Sequence, residues 1–114
     1  MNHGITPVIY PVKDRDQAKA LYGKLLGAEP VVDSPYYVGW KLSDMDIGLD
    51  PNGHRSGQTG PVSYYQVDDI NASLQTLLDA GAQPRQAVKD VGGGMLITSV
   101  KDADGNIIGL KHVS

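Results

Sequence analysis

No cysteine occurs among the 114 residues, which removes disulfides, thiolate nucleophiles and Cys-based zinc or iron–sulfur sites from consideration. A thiol-free composition accords with the cytoplasm, where the chain is expected to reside. Glutamate is almost as scarce: 12 of the 13 acidic residues are Asp, and Glu29 stands alone. Most Asp fall in turn or cap contexts, where a short carboxylate bonds nearby backbone N–H groups. Few carboxylates are therefore left for chemistry. No apolar run approaches the roughly 20 residues that cross a bilayer, so no membrane partner is expected. The start, "MNHGITPVIYPV", lacks a charged segment ahead of a signal-like core, so secretion is not indicated. Nucleic acid is not expected as a partner either, because the 10 basic residues are scattered and the net charge is −3.

What is present suits one globular domain. A hydrophobic fraction of 40% with 20% charged residues is ordinary for such a chain. At this length folding buries about two-thirds of the surface that the unfolded form exposes.

The chain says the same thing twice. Residues 6–28, "TPVIYPVKDRDQAKALYGKLLGA", open on a β-branched apolar run, then Asp14 as an N-cap. Ala18, Leu21, Tyr22, Leu25 and Leu26 follow at helical spacing, and Gly27 ends the helix. Residues 61–82, "PVSYYQVDDINASLQTLLDAGA", repeat the plan, with Asp69 as cap, Ile70, Leu74, Leu77 and Leu78 as stripe, and Gly81 as stop. Strand-like segments follow each helix: "PVV" (30–32), "YYVGWKL" (36–42) and "DIGLD" (46–50), then residues 84–90, "MLITSV" (95–100) and "NIIGLKH" (106–112). The unit is βαβββ, used twice: module one spans about residues 5–50, module two about 61–113, joined by a Gly-rich linker, 51–60. The fold class is α+β, with helices segregated to one face of curved mixed or antiparallel sheets.

Near the end, "DADGNIIGL" (102–110) carries a tight-turn signal between apolar runs. Its Ile-Gly-Leu ending matches Ile47-Gly48-Leu49. Glycine inside a strand usually marks close approach of a ligand or another backbone.

These segments resemble the vicinal oxygen chelate superfamily, which contains glyoxalase, bleomycin-resistance and dioxygenase proteins. The residues that carry the resemblance are "VKDRDQAKALYGKLLG" (12–27), "VDDINASLQTLLDAGA" (67–82) and "DADGNIIGL", the last similar to the common Asp-Pro-Asp-Gly-Asn-x-Ile-Glu-Leu. The resemblance implies two βαβββ modules walling a cavity, and a homodimer. It also implies where metal-dependent members keep their ligands: a His or Gln on each module's first strand and a Glu on each last strand. Those positions are here Pro7, Val62, Gly48 and Gly109. None offers a side-chain donor, whereas divalent ions need carboxylate or imidazole atoms at roughly 2.0–2.3 Å. His3, His54 and His112 are far apart in sequence and have no ligand spacing. No metal and no cofactor are expected.

Strand alternation then sorts the faces. With Pro7, Gly48, Val62 and Gly109 toward the cavity, Ile9, Asp50, Tyr64 and Lys111 share that side. Val8, Tyr10, Val12, Ile47, Leu49, Tyr65, Val67, Ile108 and Leu110 take the other, and are almost uniformly apolar. Tyr37 and Trp40 add stacking surface to the cavity, with Trp40 alternatively a core or dimer-interface aromatic. Absence of Glu at Gly48 and Gly109 is expected to open space on the cavity floor. "DVGGGML" (90–96) lacks the Lys-Ser/Thr ending of a phosphate loop and reads as a flexible rim. A pocket with sparse polar anchors is what an organic molecule requires. The sequence thus points to a metal-free protein that binds a small organic ligand, a drug or a metabolite. The alternatives are a glyoxalase-like lyase, isomerase or dioxygenase, with a metal-free reaction through Tyr64, Asp50 or Lys111 favoured over a metal-dependent one, and a regulatory interaction module.

Overall fold

The computed structural model describes residues 2–114. Eight strands and two helices follow in the order β1 (Asn2–Pro11), α1 (Arg15–Leu26), β2 (Val32–Ser34), β3 (Tyr37–Leu42), β4 (Met45–Asp50), β5 (Val62–Val67), α2 (Ile70–Asp79), β6 (Gln83–Gly92), β7 (Met95–Lys101) and β8 (Ile107–Val113). This is βαβββ twice, an α+β fold. The residues gather into two compact units, Thr6–Val62 and Ser63–Ser114, the latter with the first residues of β1 up to Ile5.

Each unit solves the same packing problem in the same way. In the Thr6–Val62 unit the strand order is β2-β3-β4-β1, with β1 parallel to β4 and the other pairs antiparallel. In the Ser63–Ser114 unit it is β6-β7-β8-β5, with β5 parallel to β8. A parallel pair needs a long crossover, and the helix together with the intervening strands supplies it.

Helix boundaries follow from caps. Asp14 accepts from the Gln17 N–H at 3.0 Å, and Asp69 accepts from the Ala72 N–H at 3.1 Å. Each carboxylate satisfies a backbone donor that has no intrahelical partner. Gly27 ends α1 at φ 65°, a left-handed position that glycine takes without strain. In α2 the last cap residue is Ala80, and Gly81 follows at φ 106°.

The apolar faces meet as alternation requires. Under α1, Val38, Trp40 and Leu49 are buried, with Tyr10, Val12, Ala18, Tyr22, Leu26 and Ile47 packed against them. Under α2, Val67, Ile70 and Leu110 are buried among Tyr65, Leu74, Leu77, Val88 and Leu96. Two residues depart from expectation: Leu21 is 66% and Leu25 73% exposed. At about 100° per residue, only Ala18, Tyr22 and Leu26 align on the sheet-facing line, and Leu21 and Leu25 roll onto the outer flank. The N-terminal half of α1 is also tied to the sheet edge by Arg15 and Lys19, which both pair with Asp33 on β2.

The "DADGN" turn is closed by Asp102. Its Oδ1 accepts the Asn106 N–H at 2.8 Å and the Asp104 N–H at 2.9 Å, and its Oδ2 accepts from Asn106 Nδ2 at 2.9 Å. These donors favour the charged form, so the carboxyl titrates below its ordinary value of 3.8, with the Asn106 side chain the largest cause. A depressed carboxyl supports the turn above that ordinary value, and the support is lost as pH falls through the folded one. Asn106→Ala should move the Asp102 midpoint up toward 3.8 in an NMR titration of side-chain carboxyl carbons. An unchanged midpoint would contradict this account of the turn.

Candidate functional site

The two strand glycines occupy equivalent rows of the two units. In the Thr6–Val62 unit, Gly48 on β4 pairs with Ile9 on β1 and with Gly39 on β3. The Tyr37 ring lies along this row. A Cβ on Gly48 would run into Tyr37 Oη, and would stand 2.5 Å from Tyr37 Cζ and 2.7 Å from Ile9 Cδ1. A Cβ on Gly39 would stand 2.8 Å from Tyr37 Cε2. In the Ser63–Ser114 unit, Gly109 on β8 pairs with Tyr64 on β5 and with Ser99 on β7. Its Cβ would lie 2.5 Å from Tyr64 Cδ1 and 2.8 Å from both Cε1 and Cγ. Both glycines are thus covered by a tyrosine ring that uses the missing side chain's volume.

This corrects the expectation of open space above the glycines. The room that a larger residue would fill is taken by Tyr37 and Tyr64. Periodicity could not reveal it, because Tyr64 reaches Gly109 only through the β5–β8 register. The Tyr37 contact had a weak local signal: it sits two residues before Gly39, on the same strand face.

Of the other expected site residues, Ile9 is buried and shares the Gly48 row, and Pro7 is half-buried earlier on β1. Asp50, at the end of β4, is committed to the following turn. Its Oδ1 accepts the Asn52 N–H at 2.8 Å, and Gln58 Nε2 stands 3.5 Å from its Oδ2. Val62 is buried at the start of β5. Lys111 is only 7% exposed, between Gln66 on β5 and Ile97 on β7. Trp40 does not join this set. It pairs with Ile47 on the opposite face, is 1% exposed beneath α1, and its Nε1 donates to the Ala28 carbonyl at 3.0 Å. Its parity differs from that of Gly39 and Gly48, which decides the matter. "DVGGGML" forms the β6–β7 hairpin, where Gly92, Gly93 and Gly94 all have positive φ and the Ser114 N–H donates to the Gly94 carbonyl at 3.0 Å.

A surface groove of about 650 Å³ lies beside α1, flanked by Asp16, Lys19, Gly23, Lys24 and Glu29. It takes in none of the expected site residues, and its charges balance.

A profile of the glyoxalase/bleomycin resistance protein/dioxygenase superfamily matches residues 4–110. The chain belongs to that superfamily. No curated protein sequence matches it. Among solved structures it is similar to a superfamily member from Vibrio splendidus 12B01, at 15% identity and TM-score 0.74, over 98% of this chain and 99% of that one. It is also similar to methylmalonyl-CoA epimerase from Mycobacterium tuberculosis, at 17% identity and TM-score 0.72, over 99% and 89% of the two chains. The Mn(II)-bound glyoxalase from Novosphingobium aromaticivorans gives 21% identity and TM-score 0.74, over 98% of this chain but 40% of its own. At these identities the likeness concerns the fold.

Superfamily membership raises the question of a divalent metal, and the residues present do not fit one. The four positions that the sequence resemblance assigned to ligands hold Pro7, Gly48, Val62 and Gly109, and a tyrosine ring lies over each glycine. Among the described residues no three His, Cys, Asp or Glu side chains gather. His3 pairs with Asp68 at 2.7 Å, His112 Nδ1 lies 2.9 Å from the Val67 carbonyl, and His54 is exposed in the linker.

The glycine contacts predict an ordered pair of costs. Gly109→Ala should destabilise the fold by about 1–3 kcal/mol, the range for overpacking, because Cγ and Cδ1 of Tyr64 cannot retreat without turning the whole ring. Gly48→Ala should cost less, since it meets the tips of Tyr37 and Ile9. Urea unfolding of both variants, and of Gly109→Ala combined with Tyr64→Ala, checks this: the Gly109 penalty should shrink when the ring is gone. Equal penalties with and without Tyr64 would refute the contact.

Proposed function

We propose that this chain is a metal-free member of its superfamily that binds a small organic molecule, a drug or metabolite, as a cytoplasmic homodimer. One observation carries the reading: the superfamily profile matches residues 4–110 while all four assigned ligand positions lack a donor atom. Catalysis by a divalent ion needs the ion to polarise a carbonyl or bind an oxygen species, and this donor set offers it no ligands. Binding needs no ion, only shape, apolar surface and a few polar anchors.

The helix-free sheet faces supply those elements. In one unit they offer Ile9, Tyr37, the Gly48 row and Asp50 at its end; in the other, Tyr64, Gly109 and Lys111. Tyrosine contributes a rigid apolar ring with a polar tip, at little conformational cost on binding. A chain without cysteine is compatible with a reducing compartment. The homodimer rests on the superfamily resemblance, and Leu21 and Leu25, exposed on α1, are apolar surface that a second copy would cover.

A thermal-unfolding screen against aromatic antibiotics and aromatic metabolites tests the binding reading. A true ligand at about a hundred times its dissociation constant should stabilise the fold by about 2.7 kcal/mol. A flat response across the whole screen would count against binding and in favour of an interaction module.

A further inference from the structure

Charge is segregated within the Ser63–Ser114 unit. Its Lys and Arg residues are Arg85, Lys89, Lys101 and Lys111, and all belong to the sheet face opposite α2. The register fixes this. Lys111 and Lys89 both pair with Ile97, Lys101 lies two residues beyond Ser99 on the same side of β7, and Arg85 Nη1 donates to Ser99 Oγ at 3.1 Å. The other face carries Leu96 and Leu110 against α2.

Five of the six acidic residues of the unit accept hydrogen bonds elsewhere, and the sixth lies in a turn. Asp69 caps α2, Asp68 accepts from His3, and Asp79 accepts from Gln75 Nε2 at 2.8 Å. Asp90 accepts the Gly92 N–H at 2.8 Å, Asp102 closes the terminal turn, and Asp104 lies exposed within it. The single Glu, Glu29, belongs to the other unit. Among the described residues no carboxylate forms an ion pair with Lys89, Lys101 or Lys111.

Lys111 is the decisive member. It is 7% exposed, and no described carboxylate forms an ion pair with it. A lysine with so little exposure is ordinarily paired. Yet the one buried side-chain polar atom without a partner among the described residues is Gln58 Oε1, so Lys111 Nζ is not sealed from solvent. The stem is covered, and the ammonium keeps some contact with solvent. Two residues back along β8, Gly109 lies between Tyr64 and the fully buried Ser99 that holds Arg85. One row thus presents an aromatic ring and an oriented guanidinium, and the next presents an ammonium.

We propose that this face binds an oxyanion, so that the ligand is a small organic acid whose carboxylate or phosphate sits on Lys111 and Arg85 with an apolar body beside Tyr64. The inference rests on the small-molecule-binding reading above and names the class of ligand. A guanidinium already held by Ser99 meets an oxyanion with less ordering cost than a free one, and charge-assisted hydrogen bonds are the strong ones.

The test uses the full chain and four probes of similar size: benzoate, phenyl phosphate, benzamide and benzyl alcohol, titrated by two-dimensional amide NMR and thermal unfolding. At least one of the acids should bind, with affinity falling as salt rises, while the neutral probes should not; comparing the acids separates carboxylate from phosphate. Lys111→Met should weaken the acid at least roughly tenfold, the loss of one charge-assisted bond. Lys111→Arg should restore it, and Lys13→Met, on the other unit, should leave it unchanged. Lys111→Gln takes the place of the Met variant if circular dichroism shows the latter unfolded. Neutral probes binding as well as the acids would overturn the inference and leave the binding reading standing. Acid binding that survives loss of Lys111 would overturn it as well. No response to any of the four probes would count against both.

Discussion

A tyrosine ring laid over a glycine in the middle of each sheet is the constraint on which the rest of this structure depends. A strand residue without a side chain leaves a hole in its face, and a void in a packed layer forfeits its contacts. Tyr37 fills the hole over Gly39 and Gly48, and Tyr64 fills the one over Gly109. With the ring in place, even a methyl group at Gly109 overlaps it. The same packing closes those strand positions to any carboxylate that would reach for a metal.

That constraint separates two faces with different duties. Toward the helices, each sheet is apolar and tightly packed, and Trp40, Leu49 and Leu110 belong there. Away from the helices, the surface mixes tyrosine, glycine and a few polar groups. In the Ser63–Ser114 unit that face also collects the Lys and Arg side chains. Acidic groups are held back by local geometry, because an Asp is short and finds its best partners among backbone N–H groups one to four residues away. Asp14, Asp69, Asp90 and Asp102 all do this. A composition rich in Asp and almost without Glu thus spends its negative charge on caps and turns. In the Ser63–Ser114 unit the positive charge is left to the sheet.

Much of this was legible in the sequence, and the reason is local. The repeat, both helix N-caps and the α1 stop rest on interactions within a few residues, and so does the terminal turn. Strand parity was equally readable, so Tyr10, Ile47, Leu49, Val67 and Leu110 could be assigned to the helix-covered faces. What escaped depends on distances that spacing does not encode. Leu21 and Leu25 fit a helical stripe, yet only the narrower line through Ala18, Tyr22 and Leu26 packs against the buried core. Trp40, open between cavity and core in the sequence, is settled by its pairing with Ile47 across β3 and β4. The ring over Gly109 depends on a pairing between β5 and β8 some 45 residues apart, as Tyr64 and Gly109 are numbered. For the same reason the segregation of charge became visible only when β6, β7 and β8 were set side by side.

The central claim is that a superfamily fold built around two covered glycines holds ligands without a metal. Elemental analysis of the purified protein, prepared without chelator and with divalent metals in the growth medium, tests it most directly. The account predicts metal far below one atom per chain, with thermal stability unchanged by added chelator. Nickel, zinc, manganese or iron at one atom per chain, removed by chelator with loss of stability, would contradict it.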